Sequence, residues 1–221
     1  MKVVAIVPIK LNNERTPGKN LKQFPDGETL LGHSLKKLNA ISSIDEIYVF
    51  CSRPEVQDYI SESCKKVQYL QRPEYLDTPQ ARPQDIMREA LDRIEADIYV
   101  FYHVTTPFIS EDSIEDCIEH VKGGEHDSAQ CVKRVGDFLW MGDKPINFDP
   151  ASISRTQNLP EIVKETTGIY VFRREVFERM NQRVGKHPYR HYVGSIEDLD
   201  IDYPEDWEIA CAVYKHLYCR E

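Results

Sequence analysis

Up to about Val135, the apolar positions switch repeatedly between two periods. VVAIVPI (Val3 to Ile9) is a continuous apolar run of strand length. EIYVFCS (Glu46 to Ser52) and DIYVFYHV (Asp97 to Val104) are two more, and VQYL (Val67 to Leu70) is a weaker one. Helical spacing fills the intervals. Leu31, Ser34, Leu35 and Leu38 recur with it, as do Ile86, Ala90, Leu91 and Ile94, and then Ile114, Cys117, Ile118 and Val121. Strand and helix in alternation predict an α/β fold with a mostly parallel sheet covered on both faces, a three-layer αβα arrangement.

After Val135 the pattern changes. GDFLWMGDKPINFDPASISRTQNLP keeps neither period and is too long for a simple turn. We read 136–160 as an inserted arm, with a small hairpin used in oligomerisation. TGIYVF (Thr167 to Phe172) returns to strand character, and Arg173 to Val184 reads as a helix. The chain closes with SIEDLDID, then Pro204 at a helix start and an apolar stripe of Trp207, Ala210, Cys211, Tyr214 and Leu217. The expectation is one domain over 1–221 carrying the arm.

Composition narrows the function classes. The chain has 221 residues, 28 Lys plus Arg and 37 Asp plus Glu, for a net charge of −9. At this length folding buries roughly 70–75% of the unfolded surface, enough for a real core. An acidic chain argues against nucleic-acid binding, which rests on Lys and Arg contacts to phosphates. No window approaches the roughly 20 apolar residues of a spanning helix. The apolar run near the N-terminus is too short for a signal-peptide core. The six cysteines form no C-x-x-C pair, and reduced, mostly buried thiols are expected. The expected setting is cytoplasmic, with no membrane partner.

In an open parallel sheet, ligands sit outside the carboxyl ends of the strands. That points to the loop after Ile9, to Cys51–Pro54, to His103–Phe108 and to the acidic run near Asp200. The first loop, KLNNERTPGKNLK, sets Lys10, Arg15, Lys19 and Lys22 against Glu14 alone. Pro17-Gly18 makes a turn at which backbone can approach a ligand closely. Such a loop suits a polyphosphate, whose charge its cations and N–H groups neutralise; a solvated basic loop has the same spacing. It is neither a Walker A loop nor a dinucleotide fingerprint. In Asp198-Leu199-Asp200-Ile201-Asp202 a strand would turn three carboxylates to one face. Mg²⁺ would relieve their repulsion, and an acidic strand edge is the plainer reading. His187 and His191 flank Pro188 without completing a zinc set.

These residues carry a family resemblance. VVAIVPIKLNNERTPGKNLKQF resembles the N-terminal signature of the acylneuraminate cytidylyltransferases (CMP-sialic acid synthetases), which are similar to the cytidylyltransferases that activate Kdo, an eight-carbon sugar acid. Pro8, Pro17, Gly18, Lys19 and Asn20 match in register. Arg72-Pro73, Thr105-Thr106-Pro107, Tyr170 with Arg174-Glu175-Val176-Phe177, and Asp200-Ile201-Asp202 with Pro204-Glu205-Asp206 follow in the family's order.

The resemblance implies a glycosyltransferase-A-type nucleotide-binding fold and a homodimer. It implies a reaction joining CTP to a 2-keto (ulosonic) sugar acid, with Mg²⁺ and release of pyrophosphate. The implied catalytic residues are Lys19, Arg15 and Asp202. Lys10, Asn12, Lys19, Asn20 and Arg72 would bind nucleotide. His103, Thr105, Arg155 and Tyr170 would face the sugar, with Arg155 acting in its own or the neighbouring subunit. Asp200 and Asp202 would hold the metal. The sequence departs from the pattern at Lys10, where the family has Arg. A Lys keeps the charge but loses the bidentate fork, and Arg15 is placed to compensate. Leu11-Asn12-Asn13-Glu14, His103, Thr166-Thr167 and Pro79-Gln80-Ala81-Arg82 also differ from the family. The departures fall on residues facing base and sugar, so substrate identity is less determined than reaction type. A cytidylyltransferase for Kdo or another acid, and a weakly catalytic nucleotide-binding module, are the alternatives.

Overall fold

The protein is described by a computed structural model covering residues 1–13 and 15–219. Glu14, the one acid counted in the basic loop, therefore lies outside the described residues. The chain begins with β1 (Val3–Ile9), then α1 (Leu30–Ala40), β2 (Glu46–Cys51), β3 (Val67–Gln71), α2 (Pro83–Leu91) and β4 (Ile98–Tyr102). After α3 (Glu111–Gly123) and β5 (Ser128–Val135) comes a two-stranded hairpin, β6 (Trp140–Met141) with β7 (Lys144–Pro145). The chain finishes through β8 (Ile162–Arg173), α4 (Arg174–Met180), β9 (Pro188–Tyr192) and α5 (Pro204–Tyr218).

The main sheet has seven strands in the order β3-β2-β1-β4-β8-β5-β9. All run one way except β8, which is antiparallel to both β4 and β5. Strand order reverses direction at β1, with β2 on one side and β4 on the other. Residues of β1 feed two cores in alternation, as the pleat requires. Val3, Ala5, Val7 and Ile9 pack with α1, α3 and α5, including Leu31, Leu35, Ile114, Cys117, Ala210 and Tyr214. Val4 and Ile6 pack with Met87 and Ala90 of α2 and Phe177 of α4. This is the predicted three-layer αβα architecture.

Local signals fix the helix ends. Thr29 accepts from Gly32 N at 2.9 Å to start α1, and Ser110 accepts from Ser113 N at 3.1 Å to start α3. Pro204 opens α5, where the Asp206 carboxylate takes the N–H groups of Asp202 and Tyr203. The helix predicted to run to Val184 stops at Met180, because Asn181 turns left-handed at φ 55°. All six cysteines are free, and Cys51, Cys64, Cys117 and Cys131 are buried.

The acidic run departs from expectation. Residues 193–203 form no strand, so Asp198, Asp200 and Asp202 do not share a strand face. Asp198 N donates to Gly194 O in a turn, and the buried Asp198 carboxylate is held by Lys133 at 3.1 Å and Lys164 at 2.9 Å. It stands apart as a structural ion-pair centre. The arm contains the β6–β7 hairpin, organised by buried Asn147, whose amide bonds Asp137 O and Leu139 N, each at 2.8 Å.

Candidate active site

The loop after β1 lies at the strand-order reversal, where an α/β sheet leaves a crevice. Gly18 sits at φ 67°, a left-handed conformation with almost no cost for glycine, and this turn starts the short 3-10 segment Lys19–Leu21. Lys10, Asn12, Asn13, Arg15, Thr16, Lys19 and Pro79 line a cavity of about 270 Å³. Four of the predicted residues, Lys10, Asn12, Arg15 and Lys19, are thereby gathered around one space.

The acidic loop bonds two of the cavity's cations. Asp202 accepts from Arg15 Nη1 at 2.8 Å and from Lys19 Nζ at 3.2 Å. Lys19 Nζ also reaches Ile201 O at 2.5 Å, and Thr16 Oγ1 donates to Asp202 O at 2.9 Å. The loop after β4 supports the same stretch, since Ile201 N donates to Thr105 O at 2.8 Å. Thr105 thus acts here through its carbonyl. Two segments more than 180 residues apart are locked together by one carboxylate and two cations. Asn20 is buried and donates from Nδ2 to Lys10 O at 2.8 Å, tying the two ends of the basic loop, while its Oδ1 has no partner among the described residues.

Asp200 is bound differently. Its Oδ2 accepts from Thr167 Oγ1 at 2.9 Å, and its Oδ1 is buried with no hydrogen-bond partner among the described residues. A buried carboxylate oxygen without a donor is costly unless a cation or donor completes it. Among the described residues no group of three or more His, Cys, Asp and Glu is assembled for a metal. Mg²⁺ does not need one, because it takes one or two carboxylates plus phosphate oxygens and water. Asp202, bonded to two cations of the cavity, and Asp200, with one carboxylate oxygen orphaned among the described residues, are oxygen donors of the kind this ion takes.

The remaining predicted residues spread outward. His103 follows β4, its Nε2 buried without a partner and its ring 5.3 Å from that of Phe101. Burial, with the positive charges of Arg183 and Lys19, lowers its pKa to about 4, so the imidazole is neutral at pH 7. Tyr170 is fully buried in β8. Its hydroxyl donates to Glu165 at 2.7 Å, and the Arg183 guanidinium stacks 3.6 Å from its ring centroid. Arg72 is only 2% exposed; it pairs with Asp77 and lies 6.0 Å from the Phe50 ring. It braces the segment after β3 from within. Arg155 is exposed on the arm before the turn Thr156–Asn158, and its side chain makes no ion pair among the described residues.

Sequence reasoning passed over Thr16, Glu165 and Arg183, and singled out Thr167 only as a departure from the family. Thr16 adjoins the P-G-K-N motif and carried a signal by position. Glu165 and Arg183 lie in segments whose patterns announce only a strand or a helix end.

Comparisons with known proteins bear on the family and the fold. The cytidylyltransferase family model matches residues 4–219. A 3-deoxy-manno-octulosonate cytidylyltransferase of Escherichia coli is 22% identical over 200 residues, covering 82% of this chain and 76% of the relative. Among solved structures, a CMP:2-keto-3-deoxy-manno-octonic acid synthetase in complex with CTP is similar in fold, with a TM-score of 0.72 at 17% identity, covering 98% of this chain and 99% of that one. A 4-diphosphocytidyl-2C-methyl-D-erythritol synthase from Anaerococcus prevotii gives 0.69 at 12% identity, covering 97% and 96%.

Proposed function

This chain belongs to the cytidylyltransferase family, and from that premise we propose that it joins CTP to a 2-keto sugar acid, forming the CMP-sugar and pyrophosphate. The observation that carries the reading is the cavity lined by Lys10, Arg15 and Lys19, with Asp202 bonded to two of these cations. A triphosphate brings several negative charges to that space. Lys19 and Arg15 would exchange part of their bond to Asp202 for phosphate oxygens. That exchange would release the Asp202 carboxylate toward the side where Asp200 Oδ1 stands unpartnered. Asp200 and Asp202 would together hold Mg²⁺. When bound, the ion supplies charge neutralisation to the α-phosphate and the leaving pyrophosphate.

The anomeric hydroxyl oxygen attacks the α-phosphorus in line, the bond to the β-phosphate breaks, and the proton leaves the hydroxyl as pyrophosphate departs. Little covalent chemistry falls to the protein. Its share is positioning and preorganised positive charge, which is how phosphoryl-type transfers are accelerated. Neutral His103, held uncharged by burial and by the charges of Arg183 and Lys19, would face the acceptor as a hydrogen-bonding group.

For the acceptor we favour an eight-carbon acid of the Kdo type, because two relatives found by independent comparisons are named for that substrate. A sialic-acid-like acid is the second reading, supported by the in-register Pro17-Gly18-Lys19-Asn20 motif. Pyrophosphate release over four nucleoside triphosphates and a panel of ulosonic acids tests both. The expected result is release with CTP and one class of sugar acid. CTP binding with no release for any acid would instead support a nucleotide-binding module.

A further inference from the structure

Thr167 breaks a backbone rule at a place where nothing in the packing requires a threonine. Its φ is 61°, in the left-handed region that β-branched residues avoid. The side chain is exposed, so burial does not offset the strain. The next residue, Gly168, is the glycine a turn would ordinarily place at positive φ, yet Gly168 is needed for space. A Cβ there would lie 2.4 Å from Ile109 Cδ1 and 2.7 Å from Thr106 Cβ. The pairing of β8 with β4 fixes the chain at this point, since His103 N donates to Gly168 O at 2.8 Å and Tyr102 faces Ile169. Across the strand, the register of β5 against β8 shifts between Gln130 and Val132, so β8 is irregular just where Thr167 turns. The strained conformation falls on position 167, and the sequence fills it with a hydroxyl-bearing residue.

That hydroxyl points at one carboxylate. Thr167 Oγ1 lies 2.9 Å from Asp200 Oδ2 and 2.7 Å from Thr166 O. A hydroxyl has one hydrogen to donate, and the charged acceptor is the stronger. With Oδ2 engaged, the rotation of the Asp200 carboxylate is restricted, and Oδ1 is left without a partner among the described residues. Strained backbone at a functional site persists when the conformation serves the site.

We propose that Thr167 is a positioning residue that orients the Asp200 carboxylate to receive a divalent cation, its left-handed backbone being the cost of aiming the hydroxyl. This rests on the proposed assignment of Asp200 to Mg²⁺.

The test uses the full chain saturated with CTP, with Mn²⁺ as the probe and free Mn²⁺ read by electron paramagnetic resonance. Thr167→Val keeps the shape and the strain but removes the donor. Thr167→Gly removes donor and strain together, and Thr167→Ser keeps the donor. Valine and glycine variants are expected to weaken Mn²⁺ about tenfold, or about 1.4 kcal/mol, at the lower edge of what a hydrogen bond to a charged group contributes. Serine should stay within about twofold of wild type, a loss far smaller than that hydrogen bond is worth. CTP affinity should hold in all three, and Thr167→Gly should melt no lower than Thr167→Val. Adding Thr167→Val to Asp200→Asn should cost no further Mn²⁺ affinity. Wild-type Mn²⁺ affinity in Thr167→Val, or equal losses in valine and serine variants, would overturn the inference while leaving the metal assignment standing. CTP binding by wild type without Mn²⁺ would overturn both.

Discussion

Lys19 is the residue on which the two halves of the candidate site meet. Its side chain is 12% exposed, and its one nitrogen holds both Ile201 O and Asp202. Arg15 bonds the same carboxylate from an exposed position, where water screens it. The more enclosed cation should therefore contribute more to the transferring centre. We expect Lys19→Ala to lower kcat by about 10²–10³, the usual loss for one preorganised contact to developing charge, and Arg15→Ala to lower it less. Steady-state kinetics decides the point: a Lys19→Ala defect confined to the Michaelis constant for CTP would assign Lys19 to ground-state binding. Two histidines set a pH dependence. His33, packed against Phe24, Tyr214 and Tyr218, and His103 both fall from the ordinary 6.5 to about 4, chiefly through burial. Between pH 6.5 and 4 the unfolded chain binds more protons than the folded one, so stability is full above that window and declines as pH falls through it. Urea midpoints measured across this range should show the decline. His33→Phe, which keeps a ring in the aromatic cluster, should flatten part of it, and an unchanged acid limb would place the loss elsewhere.

At the scale of elements, α1 supports the site from behind. Lys37 is buried on its inner face, and its Nζ donates to Pro107 O and to Ile109 O, fixing the loop that follows β4. Burial lowers its pKa to about 8. Lys37→Met keeps the length and leaves two carbonyls without a donor. We expect a loss of about 1–3 kcal/mol in urea unfolding, the usual penalty for a buried group left unsatisfied. Unchanged stability would mean that water replaces the ammonium. How much of this was legible varied from element to element. β1 was plain because both its faces are buried, which makes an unbroken apolar run. The basic loop was plain because Gly18 and Lys19 must stand together for the chain to turn and present a cation. β5 was missed because Gln130, Lys133 and Arg134 interrupt its pattern, and β9 because PYRHY is a mostly polar edge strand. The acidic run reads as a strand in its alternation, D-L-D-I-D. Only tertiary partners decide otherwise: Lys133 and Lys164 capture Asp198, while Arg15 and Lys19 capture Asp202. Thr167 was legible only as a departure from the family; its left-handed turn was not, since intrinsic preference argues against threonine at positive φ.

At the scale of the whole molecule, the arm poses the remaining question. Phe138 and Phe148 pack with tilted rings at 4.8 Å between centroids, and Trp140 meets Phe148 edge-on at 5.3 Å, so the arm has a small cluster of its own. Yet Trp140 is 54% exposed, Met141 69%, Ile146 54% and Ile153 67%. Four large apolar side chains on one short insertion form the kind of surface that marks an interface. We expect the functional unit to be a homodimer in which the arms cover one another, with sedimentation giving twice the chain mass at working concentration. Arg155 sits on that arm, exposed and free of ion pairs among the described residues, and so is available to a neighbouring site. If it crosses the interface, Lys19→Ala and Arg155→Ala chains should complement. Each mixed dimer would hold one site with both residues intact. Random mixing makes half the dimers mixed, so about a quarter of wild-type activity should return from two inactive preparations, as closed twofold symmetry requires. Mixed dimers that stay inactive would keep the interface and assign Arg155 to its own subunit, whereas a monomer in sedimentation would end the dimer reading.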